Sequence, residues 1–329
     1  MNQALLSRLF KAIDTEDTIS LRKIASTIIA DEKKKGHKVS ATRLESLLSA
    51  SMSGETEAKH FEVSNKMLVS LPRSPRDRRN LASLTAHSDL RHHMVLSPAV
   101  EEKFQRIERE FAATDRLKKY SLHPRRKILL YGPPGCGKSM GAERLAWNTG
   151  LPLLKVRFDS LISSYLGDSA SNLREIFDAA HKQACVLLLD ECDIIAKSRI
   201  GHQDVGEIPR LVNMLLMLLD EYSAPGLLVA TTNLHQSLDQ AIFRRFDDAF
   251  ELPLPSKTQI KQLILMTLSA FQLSKEINWP RILEKLDGNS CSIVVSIAMN
   301  AAKASVLDEL PSISETIIDA SIDSARIAK

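Results

Sequence analysis

The sequence has few aromatic residues, few cysteines and no long apolar run. Aromatic residues make up 5% of its 329 residues, and there are four cysteines, Cys136, Cys185, Cys192 and Cys291. The cysteines form neither a CxxC pair nor the His/Cys spacing of a zinc site, so we expect no zinc centre and no disulfide framework. Without a bilayer-length apolar stretch or a signal peptide, we expect a cytoplasmic protein outside the membrane.

Charge is unevenly distributed along the chain, whose formal net charge is +4. Residues 1–95 contain 16 Lys and Arg against 11 Asp and Glu, whereas the two signs are nearly balanced in the remainder. A basic surface can meet nucleic acid or an acidic partner, but a short charge run is more often a solvated face. The charge pattern therefore keeps a nucleic-acid partner open without favouring it.

Hydrophobic patterning divides the chain into three regions. Apolar residues recur at helical spacing over 1–51 and a polar connector with prolines follows, so residues 1–95 are predicted to be an N-terminal helical region with a basic linker. Residues 96–254 alternate short apolar runs with helices and are predicted to form the large αβα domain. Residues 255–329 are predicted to be helical throughout.

Four short apolar runs in the middle region lack the alternation of half-exposed strands. Such runs are typical of strands that are buried on both faces of a parallel sheet with helical crossovers. A helix over 98–120, capped by Ser97 and begun by Pro98, is predicted to precede them. The runs are KILLY (127–131), LPLLKV (151–156), CVLLLD (185–190) and GLLVATT (226–232).

A glycine-rich segment between the first run and an amphipathic helix reads GPPGCGKS and satisfies GxxxxGK[ST]. Backbone N–H groups of such a loop can cradle phosphates, helped by the helix N-terminus. Lys138 is predicted to reach the β- and γ-phosphate oxygens of ATP, and Ser139 to bind Mg²⁺. The pattern predicts a P-loop NTPase fold, with nucleotide contacts from Gly132, Pro133, Pro134, Gly135, Cys136, Gly137, Lys138, Ser139 and Met140.

Polar residues end two further apolar runs. Asp190 is predicted to hold Mg²⁺, and Glu191 to polarise the water that attacks the γ-phosphate. Asn233 follows GLLVATT, and a polar residue at the carboxyl end of a strand falls where ligands bind such sheets. We expect Asn233 to orient the attacking water. A glutamate beside the aspartate favours hydrolysis over phosphoryl transfer to a metabolite.

Four segments occur in order along the chain and precede a helical C-terminal region: GPPGCGKS, LLLDECD, VATTN and LDQAIFRRFD. With this arrangement, residues 96–329 resemble the AAA+ ATPases, and among them the AAA clade in its narrow sense. The resemblance implies a helical lid, Lys138 and Glu191 as catalytic residues, and Asn233 as the sensor of the γ-phosphate. It also implies that Arg244 and Arg245 act as arginine fingers in the site of a neighbouring subunit, and hence a homo-oligomeric, hexameric ring.

Two departures from the family leave assignments open. The two arginines are adjacent rather than separated, so the sequence does not decide which one reaches the phosphate. No Asp/Gly-rich turn stands within 96–126, so adenine contacts are not assigned from sequence.

After the second apolar run, Tyr165, Leu166 and Gly167 match the pore loop of AAA unfoldases. An aromatic ring on a loop can grip a polypeptide by apolar contact, although packing beneath its own loop is the simpler role for a tyrosine. The leading hypothesis is an ATP-driven remodeller or unfoldase of protein substrates, with a separate protease as one conceivable partner. The alternatives are a nucleic-acid-associated loader or remodeller and a nucleotide-switched scaffold.

Overall fold

The computed structural model describes residues 80–158, 161, 169–192, 207–233, 240–274 and 276–327. The helical predictions for 1–51 and the pore-loop residues Tyr165 and Leu166 lie outside these ranges. Within the described part of the chain, no helix has both the length and the apolar character needed to cross a membrane.

Six described strands form one mixed sheet in the order β1-β3-β4-β5-β2-β6, in which five neighbouring strands are parallel. The four predicted apolar runs are confirmed as β2 to β5. The fold is the predicted α/β arrangement of a P-loop NTPase. The strands are β1 (Ala82–Thr85), β2 (Lys127–Tyr131), β3 (Leu153–Val156), β4 (Val186–Leu189), β5 (Leu227–Thr232) and β6 (Asp248–Glu251).

Both edge strands were missed by the sequence analysis. Strand β1 pairs antiparallel with β3, so the sheet is mixed rather than wholly parallel. Strand β6 lies beside β2 and buries Phe250 alone among its four residues. Edge strands with so few buried positions give little periodic signal, which is why the pattern did not reveal them.

Helices cover both faces of the sheet. Successive residues of each inner strand, such as Leu187 and Leu188 of β4, enter different apolar clusters on opposite faces. This explains the uninterrupted apolar runs. The helices of this region are α1 (Pro98–Ala112), α2 (Thr114–Lys118), α3 (Lys138–Thr149), α4 (Ser169–Lys182), α5 (Glu207–Glu221) and α6 (Gln240–Phe243).

The first of these helices is shorter than predicted. The Ser97 cap and the Pro98 start are confirmed, since the Ser97 hydroxyl accepts a hydrogen bond from the backbone N–H of Val100. The single helix predicted over 98–120 is divided at Ala113, where the Thr114 hydroxyl donates to the Phe111 carbonyl (2.6 Å).

The described residues of the C-terminal region form four helices around a separate apolar cluster, which confirms its predicted helical character. Its first helix begins with a capping box formed by Ser256 and Gln259. We call this four-helix region the lid, and it touches the glycine-rich loop through the backbone N–H of Ser292, which donates to the Gly135 carbonyl (3.0 Å). The helices are α7 (Lys257–Thr267), α8 (Trp279–Leu286), α9 (Cys291–Leu307) and α10 (Glu315–Ile327).

Candidate nucleotide site

The strand order brings the predicted motifs together. Strand β5 lies between β4 and β2, and all three are parallel, so their carboxyl ends meet at one edge of the sheet. The glycine-rich loop follows β2, Asp190 follows β4, and Asn233 follows β5. This edge is where α/β sheets of this kind bind ligands.

Glycines give the loop its shape. Gly135 and Gly137 have φ of 74° and 87°, a left-handed conformation that residues with a Cβ rarely adopt. A Cβ on Gly132 would collide with the carbonyl of Leu252, which follows β6. The loop therefore needs these glycines to turn sharply from β2 into α3, whose N-terminus faces the site and favours negative charge.

Lys138 lies over this loop. Its ammonium donates hydrogen bonds to the carbonyls of Gly132 and Pro133, each at 2.8 Å, and the residue is only 7% exposed. The positive charge is thus held at the mouth of the loop, where phosphate oxygens would enter. Pro134 to Met140 line the adjoining cavity.

Asp190 accepts three hydrogen bonds. Its Oδ1 accepts from the hydroxyls of Ser139 (2.7 Å) and Thr231 (2.6 Å), and its Oδ2 accepts from Lys155 Nζ (2.6 Å). Burial by itself raises the pKa of Asp190, but the bonds from Lys155, Thr231 and Ser139 outweigh it and hold the pKa below its ordinary value. The carboxylate is therefore ionised near neutral pH.

The Ser139 hydroxyl and the Asp190 carboxylate fit a Mg²⁺ ion. Both are hard oxygen donors, they lie in contact beside the phosphate loop, and Mg²⁺ in nucleotide sites is bound by few protein oxygens together with phosphates and water. The Lys155 ammonium also supplies positive charge to the carboxylate.

Glu191 stands on a turn that Thr231 holds in place. Its φ is 56°, in the left-handed region, which costs a non-glycine residue about 1 kcal/mol or more. Its N–H donates to the Thr231 hydroxyl (2.9 Å), and the N–H of Cys192 donates to the Thr231 carbonyl (2.9 Å). The turn directs an exposed carboxylate to the cavity, which Asn233 also lines.

A cavity of about 680 Å³ lies between the sheet edge and the lid. This volume lies within the range of small-molecule sites, about 300–1,000 Å³. Besides the loop, Glu191 and Asn233, its lining includes an apolar wall that the sequence analysis did not assign. This wall comes from the segment before α1 and from α7 and α9, and includes Met94, Val95, Leu96, Leu263, Met266 and Val295.

The segment before α1 is anchored on α3. Glu143 accepts hydrogen bonds from the backbone N–H of Arg91 (3.0 Å) and from its Nε (2.9 Å). The ring of Trp147 stacks with both His87 and His92, at centroid distances of 4.2 and 4.0 Å. These contacts fix Met94 to Leu96 at the cavity and could not be read from sequence, since they join residues more than 50 positions apart.

Arg244 and Arg245 do not line this cavity in a single chain. Arg244 is exposed, whereas Arg245 is half-buried and forms an ion pair from its Nε to Asp220 Oδ1 of α5 (2.9 Å). The structure thus brings together Lys138, Ser139, Asp190, Glu191 and Asn233 and leaves the two arginines elsewhere on the same chain.

Comparisons with known proteins match the same region. The family model described as "ATPase family associated with various cellular activities (AAA)" matches residues 128–254. An uncharacterized AAA family ATPase, y4kL, of Sinorhizobium fredii (strain NBRC 101917 / NGR234) is 33% identical over 294 residues, 89% of this chain and 87% of that protein. A proteasome-activating nucleotidase of Methanoregula boonei (strain DSM 21154 / JCM 14090 / 6A8) is 27% identical over 239 residues, 70% of this chain and 55% of that protein.

Proposed function

The chain belongs to the AAA family of ATPases, and on that basis we propose that it assembles into a hexameric ring whose ATP hydrolysis remodels or unfolds protein substrates. The observation that carries the proposal is the meeting of Lys138, Asp190, Glu191 and Asn233 at one sheet edge, beneath a lid that touches the phosphate loop.

In the proposed reaction, hydrolysis uses residues at the carboxyl ends of β2, β4 and β5, around the expected position of the γ-phosphate. Lys138 and the backbone N–H groups of the loop bind phosphate oxygens and stabilise charge that develops on them. Ser139 and Asp190 would hold Mg²⁺, which supplies neutralising charge when bound. Glu191 polarises the attacking water by accepting its proton, and Asn233 orients that water through its side-chain amide.

The arginine fingers are assigned to the neighbouring subunit's site. Arg244 and Arg245 stand outside the cavity of their own chain, as expected for residues that complete another site. The ion pair with Asp220 orients Arg245 and the short segment after α6. An arginine supplied across an interface stabilises transition-state charge and can raise the rate by about 10³- to 10⁵-fold. Such head-to-tail contacts close into a ring when the rotation between neighbouring subunits closes.

Protein remodelling is supported by two features. Tyr165 and Leu166 match the pore loop of AAA unfoldases, and one relative is a proteasome-activating nucleotidase by name. We assign residues 255–329 to the lid and residues 96–254, together with strand β1 and the cavity-lining segment before α1, to the large ATPase domain, with the rest of 1–95 as an N-terminal adaptor region. Relative motion of the large domain and lid would then drive the polypeptide past Tyr165. We place this activity in the cytoplasm.

The test begins with capture of the substrate. The Glu191→Gln variant, held with ATP, should retain bound protein that is released when ADP replaces ATP. Each captured protein is then offered to the wild type, to Tyr165→Ala and to Tyr120→Ala, whose tyrosine is 75% exposed elsewhere on the surface.

We expect Tyr165→Ala to lose substrate unfolding at least tenfold while its ATPase rate stays within twofold, and Tyr120→Ala to behave as wild type. Capture that nuclease treatment abolishes would favour the nucleic-acid-associated alternative. If the protein assembles with ATP but neither Tyr165→Ala nor Tyr120→Ala changes substrate unfolding, the result would favour a nucleotide-switched scaffold.

A further inference from the structure

The phosphate loop and the N-terminus of α9 are in direct contact. The Ser292 N–H donates to the Gly135 carbonyl (3.0 Å), and a Cβ on Gly135 would collide with the Ser290 and Ser292 hydroxyls. The residues next to this hydrogen bond are Cys136 on the loop and Cys291 on the helix. Two thiols thus face each other where the large domain meets the lid.

Several observations place the two sulfur atoms together. Cys136 and Cys291 line the same cavity, and they share a second, smaller cavity beside Leu252 and Pro253. Their side chains are close enough to hydrogen-bond to one another. Cys136 is 4% exposed, whereas Cys291 is partly exposed, so a small oxidant can approach the pair through the cavity.

The surroundings make Cys136 the more reactive thiol. The hydrogen bond from Cys291 lowers the pKa of Cys136, and the nearby Lys138 ammonium lowers it further. The same contact raises the pKa of Cys291. By contrast, burial raises the pKa of Cys185 to about 12, which leaves that thiol protonated and unreactive. One member of the pair is thus suited to attack an oxidant and the other to resolve the product.

We propose that Cys136 and Cys291 are a modification site, at which a peroxide forms a reversible disulfide that fastens the lid to the phosphate loop. This goes beyond the ATPase function and does not depend on what the ring acts on. It also differs from a structural disulfide framework, because the bond joins two parts that must move relative to each other.

The reaction proceeds in two steps. The Cys136 thiolate attacks one oxygen of hydrogen peroxide, the O–O bond breaks, and a sulfenic acid forms while hydroxide takes up the thiol's proton to give water. The Cys291 thiol then attacks the sulfenic sulfur, the S–O bond breaks, and the oxygen leaves as a second water with the Cys291 proton. The sulfurs lose two electrons and the peroxide gains them. A dithiol reverses the bond by thiol–disulfide exchange.

The disulfide would act on the phosphate loop and on the lid together. The backbone N–H groups around Cys136 must turn toward phosphate oxygens, and the lid must move against the large domain during turnover. A covalent bond from Cys136 to the first residue of α9 restrains both. Oxidised protein should therefore stop hydrolysing ATP without unfolding.

The experiment treats the reduced full-length protein with hydrogen peroxide, blocks remaining thiols with an alkylating agent and digests without reductant. We expect a linked peptide pair containing Cys136 and Cys291, and a fall from four free thiols per chain to about two. ATPase activity should fall at least tenfold and return with dithiothreitol. Cys185→Ala, the matched control, should form the link as wild type does.

The Cys291→Ala variant distinguishes inhibition by the Cys136–Cys291 disulfide from inhibition by oxidation of Cys136 alone. After the peroxide treatment that lowers wild-type ATPase activity tenfold, the ATPase activity of this variant should fall less than twofold relative to its own reduced state. The proposal is overturned if the linked peptides are absent, if the cysteines link only between different chains, or if Cys291→Ala is inhibited as strongly and as reversibly as wild type.

Discussion

At the scale of single residues, Lys155 is the side chain whose role the sequence did not suggest. It is the third residue of β3, its side chain is 44% exposed, and its ammonium lies 2.6 Å from the Asp190 carboxylate. It stands where a metal-binding carboxylate needs a positive charge. A Mg²⁺ ion bound by Asp190 and Ser139 must therefore share the Asp190 carboxylate with the Lys155 ammonium.

We expect Lys155→Met to tighten metal binding, because a competing charge is removed. Removing a unit charge about 4 Å from a divalent ion in a solvent-accessible site is worth about 2 kcal/mol, so half-saturation should need roughly thirtyfold less metal. Mn²⁺ binding followed by electron paramagnetic resonance in the presence of ATP measures this directly. Lys118→Met, a change at an exposed lysine on α2, is the control. Weaker metal binding would mean that Lys155 instead orients Asp190 for the metal.

The role of Glu191 leads to a second residue-scale prediction. Glu191→Gln keeps the size of the side chain but removes its ability to accept a proton, so ATP hydrolysis should fall by about 10²- to 10⁴-fold. Because Glu191 is exposed, the melting temperature should hardly change. Phosphate release and equilibrium ATP binding are measured together, and brisk hydrolysis by this variant would refute Glu191 as the base.

The sequence predicted the candidate site residues that directly follow strands, but not the residues that contact them from neighbouring strands. Lys138, Asp190 and Asn233 could be predicted because a buried apolar run ends just before each motif. Lys155 and Thr231 could not, because their contacts with Asp190 depend on β4 pairing with β3 on one side and β5 on the other, and the residues of a strand do not specify its neighbours in the sheet.

At the scale of elements, Arg144 joins α3 to α1. Its guanidinium donates two hydrogen bonds to the Glu101 carboxylate (2.6 and 2.7 Å) and one to Glu108 (3.2 Å), and its side chain is 10% exposed. It also lies over the Phe104 ring. Since α3 begins at the phosphate loop, this ion pair helps to hold the loop's helix against α1.

We expect Arg144→Met to lower the free energy of unfolding by about 2–3 kcal/mol at pH 7, because it leaves a partly buried carboxylate without its partner. Hydrogen bonds from Arg144 lower the pKa of Glu101, so the stabilisation is present above the unfolded-state pKa of about 4.3 and is lost as pH falls through the folded value. Thermal unfolding should therefore show a gap between wild type and variant that narrows in acid.

Arg106→Met provides the matched comparison for that experiment. Arg106 forms an i,i+4 ion pair with Glu110 on the same helix, but its side chain is 62% exposed. We expect it to cost less than about 1 kcal/mol. Equal losses for the two variants would show that Arg144 has no special part in joining the helices.

At the scale of the whole molecule, the described part of the chain forms a large domain and a lid that meet at the candidate nucleotide site. The phosphate loop, Asp190, Glu191 and Asn233 meet within one chain, whereas Arg244 and Arg245 stand outside that cavity. We propose that a neighbouring chain supplies these two arginines for full activity. The central claim is therefore that each site is completed in trans.

Mixing two inactive variants tests this claim most directly. Lys138→Ala removes the phosphate-binding lysine but keeps both arginines, whereas Arg244→Ala/Arg245→Ala keeps the phosphate loop. Each alone should be nearly inactive. In randomly mixed head-to-tail rings, an intact loop meets an intact finger at about a quarter of the interfaces, so ATPase activity should rise to about a quarter of wild type. Activity no higher than that of the separate variants, or wild-type hydrolysis by the double arginine variant alone, would contradict a site shared between subunits.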